Sequence, residues 1–168
     1  MLLNTIVGEA LVLRKLNSND ELGVIDMLSN ELVMQYIGPR RSLSSHEISS
    51  WFASTIADYD NDWNRWAIAL KSTDEFIGMV GIRSEEDGYD FGYYLRQKFW
   101  GKGIATQAVQ MALTEILKHN VAFHIFIAND NTHSQNIMTR LSIRHGKSMI
   151  KNGEDGVLYT HTQMQPRL

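Results

Sequence analysis

The sequence has no cysteine among its 168 residues. Disulfide bonds, thiolate metal sites and a cysteine nucleophile are therefore excluded. Its six histidines include no H-x-x-x-H pair, the spacing with which one helix face binds zinc. We therefore predict that the protein has no metal site.

The sequence also lacks an excess of basic charge. Its 16 lysines and arginines stand against 19 aspartates and glutamates, which gives a net charge of −3 and a pI of about 6.0. This balance predicts no nucleic-acid-binding surface, so any anion site must be local. No apolar run approaches the roughly 18 residues of a membrane-spanning helix, and the first residues lack the basic region and apolar core of a signal peptide. We expect a cytoplasmic protein with no nucleic-acid or membrane partner.

What the sequence contains is the pattern of one globular domain over residues 1–168, with 43% apolar and 21% charged residues. Periodicity predicts the order β-α-α-β-β-β-α-β-α-β-β, which is an α/β fold. Strands are predicted at residues 10–16, 66–70, 76–83, 89–95, 121–128, 147–151 and 157–164. Helices are predicted after capping boxes at residues 18–21 and 44–47, over residues 104–119 and 132–145, and as a short helix at residues 30–36.

These patterns also predict which faces are buried. The first helix is expected to turn Leu22, Ile25 and Leu28 inward. The helix after residue 44 is expected to bury Ile48, Trp51, Phe52, Thr55, Ile56 and Tyr59. The strand at residues 121–128 is expected to bury Val121, Phe123, Ile125 and Ile127. The last helix is expected to end at Gly146.

A glycine-containing loop joins the strand that ends at Leu95 to the helix that begins at Ile104. Gly101 and Gly103 lie in this loop, where the free backbone N–H groups of a helix start meet the positive end of its dipole. This arrangement predicts a phosphate site, to which nearby basic side chains add charge. The alternative is a tight turn that needs glycine only for positive φ. Thr106 stands where G-x-G-x-x-G requires a third glycine, and no G-x-x-x-x-G-K-[ST] motif is present.

Residues 98–105, Lys98-Phe99-Trp100-Gly101-Lys102-Gly103-Ile104-Ala105, resemble the Q/R-x-x-G-x-G/A pyrophosphate loop of the GNAT superfamily of acyl-CoA-dependent N-acetyltransferases. The sequence of this loop is most similar to that of the RimJ/RimL-like branch, and residues 10–14 and the Asn131-x-x-Ser134 pair also resemble that branch. The predicted element order matches the GNAT fold, which has a central mixed sheet. Three features depart from the family pattern: Lys98 for Gln or Arg, Gln97 for proline, and Leu141-Ser142-Ile143 for Leu-Gly-Phe.

The resemblance implies where acetyl-CoA would lie. Strands 89–95 and 121–128 would splay apart to admit the pantetheine arm, with the N–H of Leu95 directed at the acetyl carbonyl. The alternative is that these N–H groups pair across the sheet. The implied cofactor-binding residues are Leu95, Lys98, Phe99, Trp100, Gly101, Lys102, Gly103, Ile104, Ala105, Thr106 and Asn131. For Asn131 the alternative is a helix cap.

The implied catalytic residues are Ser134 and Asp90. Ser134 would protonate the leaving sulfur, because Met138 fills the slot where many GNAT enzymes have tyrosine and a thioether donates no proton; the alternative is a serine that caps the helix. Asp90 would act as base on the acceptor amine, and its alternative is an exposed carboxylate. Glu85 is expected to be solvated in a turn, and His124 either faces the substrate gap or is an ordinary core or surface histidine.

The sequence therefore predicts an N-acetyltransferase that moves acetyl directly from acetyl-CoA to a primary amine. The acceptor is a protein N-terminus or a small-molecule amine, and the residues do not choose between them. The alternative is a non-catalytic acyl-CoA-binding regulatory domain on the same fold. A homo-oligomer formed through the closing hairpin is also consistent with the pattern.

Overall fold

The computed structural model of the protein describes residue 2 and residues 4–60, 65–86, 88–143 and 146–161. The strands are β1 Ile6–Val7, β2 Leu11–Arg14, β3 Arg65–Leu70, β4 Phe76–Glu85, β5 Gly88–Leu95, β6 Phe123–Ala128, β7 Gly146–Lys151 and β8 Glu154–His161. The helices are α1 Glu21–Leu28, α2 Glu31–Met34, α3 Ser45–Ala57, α4 Ile104–Lys118 and α5 Thr132–Arg140. Within the described residues, no helix is long and apolar enough to cross a bilayer. The predicted positions 144–145 of the last helix and 162–164 of the last strand lie outside the described residues.

The strands form one eight-stranded sheet in the order β1-β2-β3-β4-β5-β6-β8-β7. Neighbouring strands are antiparallel except β5 and β6, which are parallel. The predicted α/β fold with a mixed sheet is therefore confirmed. The predicted order omits β1, a two-residue strand that pairs with β2. That order also counts only two helices before β3, although the short helix predicted at residues 30–36 is present as α2, which the Asn30 side chain caps.

The buried face of α1 differs from the prediction. Leu22 is 81% exposed and Ile25 is 41% exposed, whereas Val24 and Met27 are fully buried. The reason lies in the strand beneath the helix: a Cβ placed on Gly23 would come within 2.7 Å of the Phe76 ring. This close approach fixes which side of α1 faces the sheet, so only Leu28 of the predicted set is buried.

The other predicted faces agree more closely with the structure. On α3, Ile48 and Thr55 are buried, while Ile56 is 36% exposed and its predicted burial is wrong. The aromatic side chains of α3 pack half-buried against the cluster beneath it. On β6 the predicted alternation is confirmed for Phe123, Ile125 and Ile127, and Val121 lies before the strand.

Helix α5 ends at Arg140, six residues before the first residue of β7, and the predicted end at Gly146 is wrong. The chain leaves the helix through Ser142, which has φ 60°. The N–H of Ser142 donates to the Thr139 carbonyl at 3.1 Å, and the N–H of Ile143 donates to the Met138 carbonyl at 2.9 Å. This is a Schellman ending, in which glycine is the usual residue at the left-handed position. A serine therefore holds the backbone turn of the family's Leu-Gly-Phe pattern.

Two helical layers cover the sheet. Helix α4 packs on one face through Ala108, Val109, Ala112 and Ile116, all of them fully buried. Helices α1 and α3 pack on the other face around Val24, Met27 and Ile48. Because side chains alternate along a strand, neighbouring residues of β5 face different layers. Phe91, Tyr93 and Leu95 face the α4 layer, whereas Tyr94 belongs with the α1 and α3 layer.

Candidate active site

The parallel strands β5 and β6 share a single residue pair, Asp90 with His124. Each strand also has a full antiparallel ladder on its other side, with β4 and β8 respectively. Beyond the Asp90 pair, β5 continues to Leu95 and β6 continues to Ala128 with no further pairing between them in the described residues. A gap therefore opens in the middle of the sheet, as predicted from the resemblance.

The backbone of β5 presents hydrogen-bonding groups to this gap. The N–H of Arg96 donates to the Ile77 carbonyl at 2.8 Å, which makes this an in-register pair that is bonded to β4. In an antiparallel ladder, bonded and non-bonded pairs alternate. The N–H groups of Leu95 and Tyr93 therefore point away from β4 and toward the gap. The Leu95 carbonyl accepts a hydrogen bond from the Trp100 indole at 3.0 Å, so the loop itself holds the strand end in place.

On the α4 side, the gap opens into a cavity of about 490 Å³, which we call the α4 cavity. Its walls come from the end of β5, the loop that follows, the first turn of α4, α2 and α5. Ten of the predicted site residues line it: Leu95, Phe99, Trp100, Gly101, Gly103, Ile104, Ala105, Thr106, Asn131 and Ser134. The sequence-based prediction of this wall therefore agrees with the geometry.

The loop has the backbone geometry of an anion site. Gly101 and Gly103 have φ values of 72° and 74°, and a Cβ on either would meet no atom within 4 Å. Gly103 is also the N-cap of α4, and no side chain caps that helix. Among the described residues, the N–H groups of residues 101–106 have no hydrogen-bond partner, whereas those of Phe99 and Trp100 bond within the loop. Six consecutive donors at the positive end of a helix dipole form a site for a diphosphate.

The basic side chains near this loop are less available than the sequence suggested. Lys98 forms an ion pair with Glu75 and does not line the α4 cavity. Arg96 pairs with Asp26 at 2.8 Å and with Glu75 at 3.3 Å. Lys102 lies over the Phe99 ring at 5.7 Å and is likewise outside the cavity wall. The anion-binding character of the site therefore comes mainly from backbone amides.

Tyr93 and Ser134 stand in the wall between the two sides of the gap. The Tyr93 hydroxyl is buried and makes no hydrogen bond of normal geometry within the described residues. Burial raises the pKa of Tyr93 to about 12, and the Ser134 hydroxyl opposes that rise. At neutral pH the Tyr93 hydroxyl is therefore protonated and can donate a hydrogen bond. The sequence analysis missed Tyr93 as a functional side chain, although its place beside the loop was a usable signal.

Asn131 caps α5: its side-chain oxygen accepts the Ser134 N–H at 3.3 Å. The capping role considered for Ser134 is thus taken by Asn131, and the Ser134 hydroxyl remains beside Tyr93. The amide nitrogen of Asn131 keeps its two donors for a ligand in the cavity. Met138 is 1% exposed and lies in the core, so it presents no group to the gap.

The gap also adjoins a second cavity of about 380 Å³, lined in part by Trp51 of α3, which we call the α3 cavity. Tyr93, Asn131 and Ser134 line both cavities. The α3 cavity has charged walls: Arg40, Arg65, Arg83 and Asp90. Tyr36, Ile37 and Tyr94 also line both cavities, so the two cavities adjoin along the gap and along the segment that follows α2.

Asp90 lies at the closed end of the gap with Glu85 and His124. The His124 Nε2 atom is 3.9 Å from an Asp90 oxygen and 3.8 Å from a Glu85 oxygen. Burial, followed by the Glu85 charge, raises the pKa of Asp90. Glu85 is not the solvated turn residue that was expected, because it ends β4 and is bonded by Arg83 at 2.6 Å. Burial alone would raise the pKa of Glu85, but Arg83 and other cations outweigh it and the pKa is lowered.

These three side chains offer ligand atoms within 4.8 Å of one another, which is close enough for a metal ion. Arg83 competes for the same carboxylates, at 2.6 Å from Glu85 and 4.0 Å from Asp90. The absence of a metal site therefore stays a prediction. The cluster is better described as a half-buried carboxylate, Asp90, whose pKa is raised by burial and then by the Glu85 charge.

The family model for the acetyltransferase (GNAT) domain matches residues 10–144. The chain belongs to the GNAT acetyltransferase family. An uncharacterised N-acetyltransferase, p20 from Bacillus licheniformis, is 32% identical over 113 residues, which are 64% of this chain and 63% of that protein. The match thus spans less than two thirds of that curated relative.

Solved structures share the fold. The GNAT-family acetyltransferase from Bacillus anthracis superposes with a TM-score of 0.78 at 20% identity, covering 95% of this chain and 98% of that one. RimL, a ribosomal L7/L12 alpha-N-protein acetyltransferase solved with coenzyme A, gives 0.73 at 20% identity, covering 94% and 96%. At 20% sequence identity the similarity concerns the fold, and it agrees with the predicted GNAT architecture and with the resemblance to the RimJ/RimL-like branch.

Proposed function

We propose that this protein transfers acetyl from acetyl-CoA directly to a primary amine. The observation that carries the proposal is the gap between β5 and β6, which joins two cavities of different character. One cavity ends at a row of free backbone amides, and the other holds a half-buried carboxylate. This arrangement can bring an acyl donor and an amine together at one gap in the sheet.

In the α4 cavity, the amides of residues 101–106 would bind the diphosphate of acetyl-CoA, and Asn131 would bond the pantetheine arm. The N–H of Leu95 would donate to the acetyl carbonyl oxygen, where negative charge develops during transfer. One such donor contributes about 3–4 kcal/mol to transition-state stabilisation. Lys98 and Lys102 remain candidates only for outer phosphate contacts, because neither lines the cavity.

Transfer forms a bond between the amine nitrogen and the acetyl carbon and breaks the carbon–sulfur bond. The departing sulfur needs a proton or a hydrogen bond, and we assign that donor to Ser134 with Tyr93 beside it. The amine must lose a proton to become a nucleophile. Asp90 is the base we propose, because its raised pKa gives it more affinity for a proton than an exposed aspartate has.

The acceptor is proposed as a protein N-terminus or a small-molecule amine. RimL acts on the N-terminus of a ribosomal protein by its name, which makes a protein N-terminus the first class to test. That residues 1–168 form one acetyltransferase domain, located in the cytoplasm and able to self-associate, stays a prediction.

The test is calorimetry of acetyl-CoA binding, followed by an acceptor panel with detection of free thiol. We expect submillimolar binding and steady release of CoA with at least one amine. No binding at submillimolar concentration would refute the proposal. Binding without release of CoA for any amine would favour the second candidate, a non-catalytic acyl-CoA-binding regulatory domain. This candidate is supported by Met138, which occupies the position where many GNAT enzymes have a tyrosine.

A further inference from the structure

The α3 cavity contains an arginine whose charge nothing described nearby neutralises. Arg65, the first residue of β3, lines this cavity. Its Nε atom is buried and has no hydrogen-bond partner among the described residues. The other two arginines of the cavity are paired within the described residues, Arg40 with Glu154 at 2.5 Å and Arg83 with Glu85 at 2.6 Å. A buried N–H donor without a partner is uncommon in native proteins and indicates a missing acceptor.

The sheet surface beside Arg65 has glycines where side chains would otherwise project. Arg65 pairs with Gly81 across β3 and β4, and Gly81 pairs with Gly92 across β4 and β5. A Cβ on Gly92 would meet no atom within 4 Å. Two glycines in one row of the sheet therefore leave a trough that begins at Arg65 and crosses toward β5.

Within the described part of the chain, the groups beside Arg65 do not supply an anion. Tyr94 on β5 is one of them: burial raises its pKa, and the Arg65 and Arg83 charges and a hydrogen bond with Arg65 oppose that rise. A neutral phenol is therefore beside the guanidinium. Trp51 lies on the α3 wall of the same cavity. Among the described residues that line this cavity, three arginines stand against one carboxylate, Asp90, although the whole chain has a net charge of −3.

Asp90 lies at the other end of the trough. It is two residues along β5 from Gly92, in the row that pairs with Arg83. Two strand spacings and two residues of rise place the Arg65 and Asp90 Cα atoms about 12 Å apart. Both residues lie on the same face of the sheet, and both line the α3 cavity. The cavity thus has a site for a cation at one end and a site for an anion at the other.

We propose that the acceptor is a primary amine that also carries an anionic oxygen group, and that Arg65 binds this group while the amine lies near Asp90. The position of the amine rests on the proposed function, but the Arg65 anion site does not. A planar guanidinium with an unpaired Nε binds a carboxylate through two parallel hydrogen bonds. Two sources provide this chemistry: a peptide N-terminus followed by an acidic side chain, and a small amino acid with a free carboxylate.

The test uses two matched pairs of ligands that differ only in that charge. The peptide pair is Ala-Asp-Ala-amide and Ala-Asn-Ala-amide, and the small-molecule pair is 4-aminobutyrate and its amide. Each is titrated into the protein saturated with CoA, where no acetyl is available, and binding is measured by calorimetry. In at least one pair we expect the anionic member to bind at least tenfold more tightly, and that pair identifies the source. Equal affinities in both pairs, or no binding of any member, would overturn the proposal.

Variants then assign the effect to Arg65. Arg65→Gln is expected to bring the affinity of the anionic member to within about twofold of the neutral member, and Arg65→Lys is expected to keep part of the difference. Arg41→Gln is the matched control, because Arg41 is exposed, pairs with Glu47 and lies outside the cavity. A preference that survives Arg65→Gln would contradict the assignment.

The folding of Arg65→Gln is checked by its affinity for CoA, which binds in the other cavity. Should that affinity be lost, Gly92→Val gives a second route, because it fills the trough beside Arg65 without altering the charge. We expect it to abolish the advantage of the anionic member, and an undiminished advantage would count against the proposal. These measurements need no turnover. An anion preference that disappears in Arg65→Gln would therefore support this inference even if no acetyl transfer were found, so the proposed function could fail while the inference holds.

Discussion

The α4 cavity and the α3 cavity adjoin at the gap between β5 and β6, yet they are lined by different kinds of chemical group. The α4 cavity presents the backbone amides of one continuous segment, residues 101–106, and two glycines open its wall. The α3 cavity presents charged side chains that come from β3, β4, β5 and the segment after α2. A site built from the backbone donors of one segment gives a local sequence motif. A site built from side chains of distant elements gives no such motif.

Gly103→Trp is expected to have the largest effect on the α4 cavity and leave the α3 cavity unchanged. The new side chain has room, since a Cβ there meets no atom within 4 Å, but it projects where the backbone donors face the cavity. We expect acetyl-CoA affinity to fall by more than about 100-fold, while a non-glycine residue at φ 74° costs only about 1–2 kcal/mol of stability. Calorimetry and urea unfolding measure the two effects.

Gly153→Trp is the matched control for that variant. Gly153 also has a positive φ, 81°, and open space around its Cβ, but it lies in the turn between β7 and β8. It should lose similar stability and keep its acetyl-CoA affinity. If both variants lose affinity equally, the loop does not hold the cofactor.

Asp90→Asn tests the α3 cavity. At pH 7 we expect kcat/KM to fall about 100-fold, the effect of removing a general base. Because burial raises the pKa of Asp90, the folded protein binds its proton more tightly than the unfolded chain does. The stability that Asp90 contributes is therefore present at low pH and is lost as the pH rises through the folded-state pKa.

The same variant should consequently not lower the free energy of unfolding at pH 7, and unfolding in urea at pH 7 and at pH 4 measures this. Glu86→Gln, which removes an exposed carboxylate in the next turn, is the control for both readouts. An Asp90→Asn enzyme with an unchanged rate would remove Asp90 from the mechanism.

Ser134→Ala and Tyr93→Phe test the wall that the two cavities share. We expect each to lower kcat about tenfold without changing acetyl-CoA affinity, a modest effect because a thiol with a pKa of about 8.5 leaves with little help. Single-turnover kinetics measure the step. Thr139→Ala removes a hydroxyl from the same helix that bonds only the Gln135 carbonyl in the described structure, and it should leave kcat unchanged. A fall in affinity with constant kcat would make Ser134 a binding residue only.

The smallest expected effect lies outside both cavities. Ser142→Gly replaces a residue at φ 60° with the one that adopts this conformation without strain, and it should stabilise the protein by about 1 kcal/mol. Asn120→Gly is the control at φ 53°, where the gain should be smaller because asparagine tolerates the left-handed region. Thermal unfolding measures both. Loss of stability in Ser142→Gly would show that the serine side chain has a role of its own.

Much of the fold was accessible from the sequence because strands and long helices carry their periodicity locally. The buried face of β6 and the start of α4 are examples. The buried face of α1 was not accessible, since Leu22 and Ile25 have the right spacing and the choice was made by the contact between Gly23 and Phe76. The end of α5 was missed for a similar reason: a serine took the left-handed position that a sequence pattern assigns to glycine.

The sequence by itself determined the candidate phosphate loop, because the glycines, the helix start and its free amides are neighbours in the chain and need no other element to act together. Only the tertiary structure decided that Asp90, Arg65 and Ser134 line one cavity at the gap. These residues come from three elements far apart in the chain, and the separation of β5 from β6 that unites them arises from pairing with β4 and β8. Hydrophobic periodicity predicts which side of a strand is buried, but it does not predict which neighbouring strands separate.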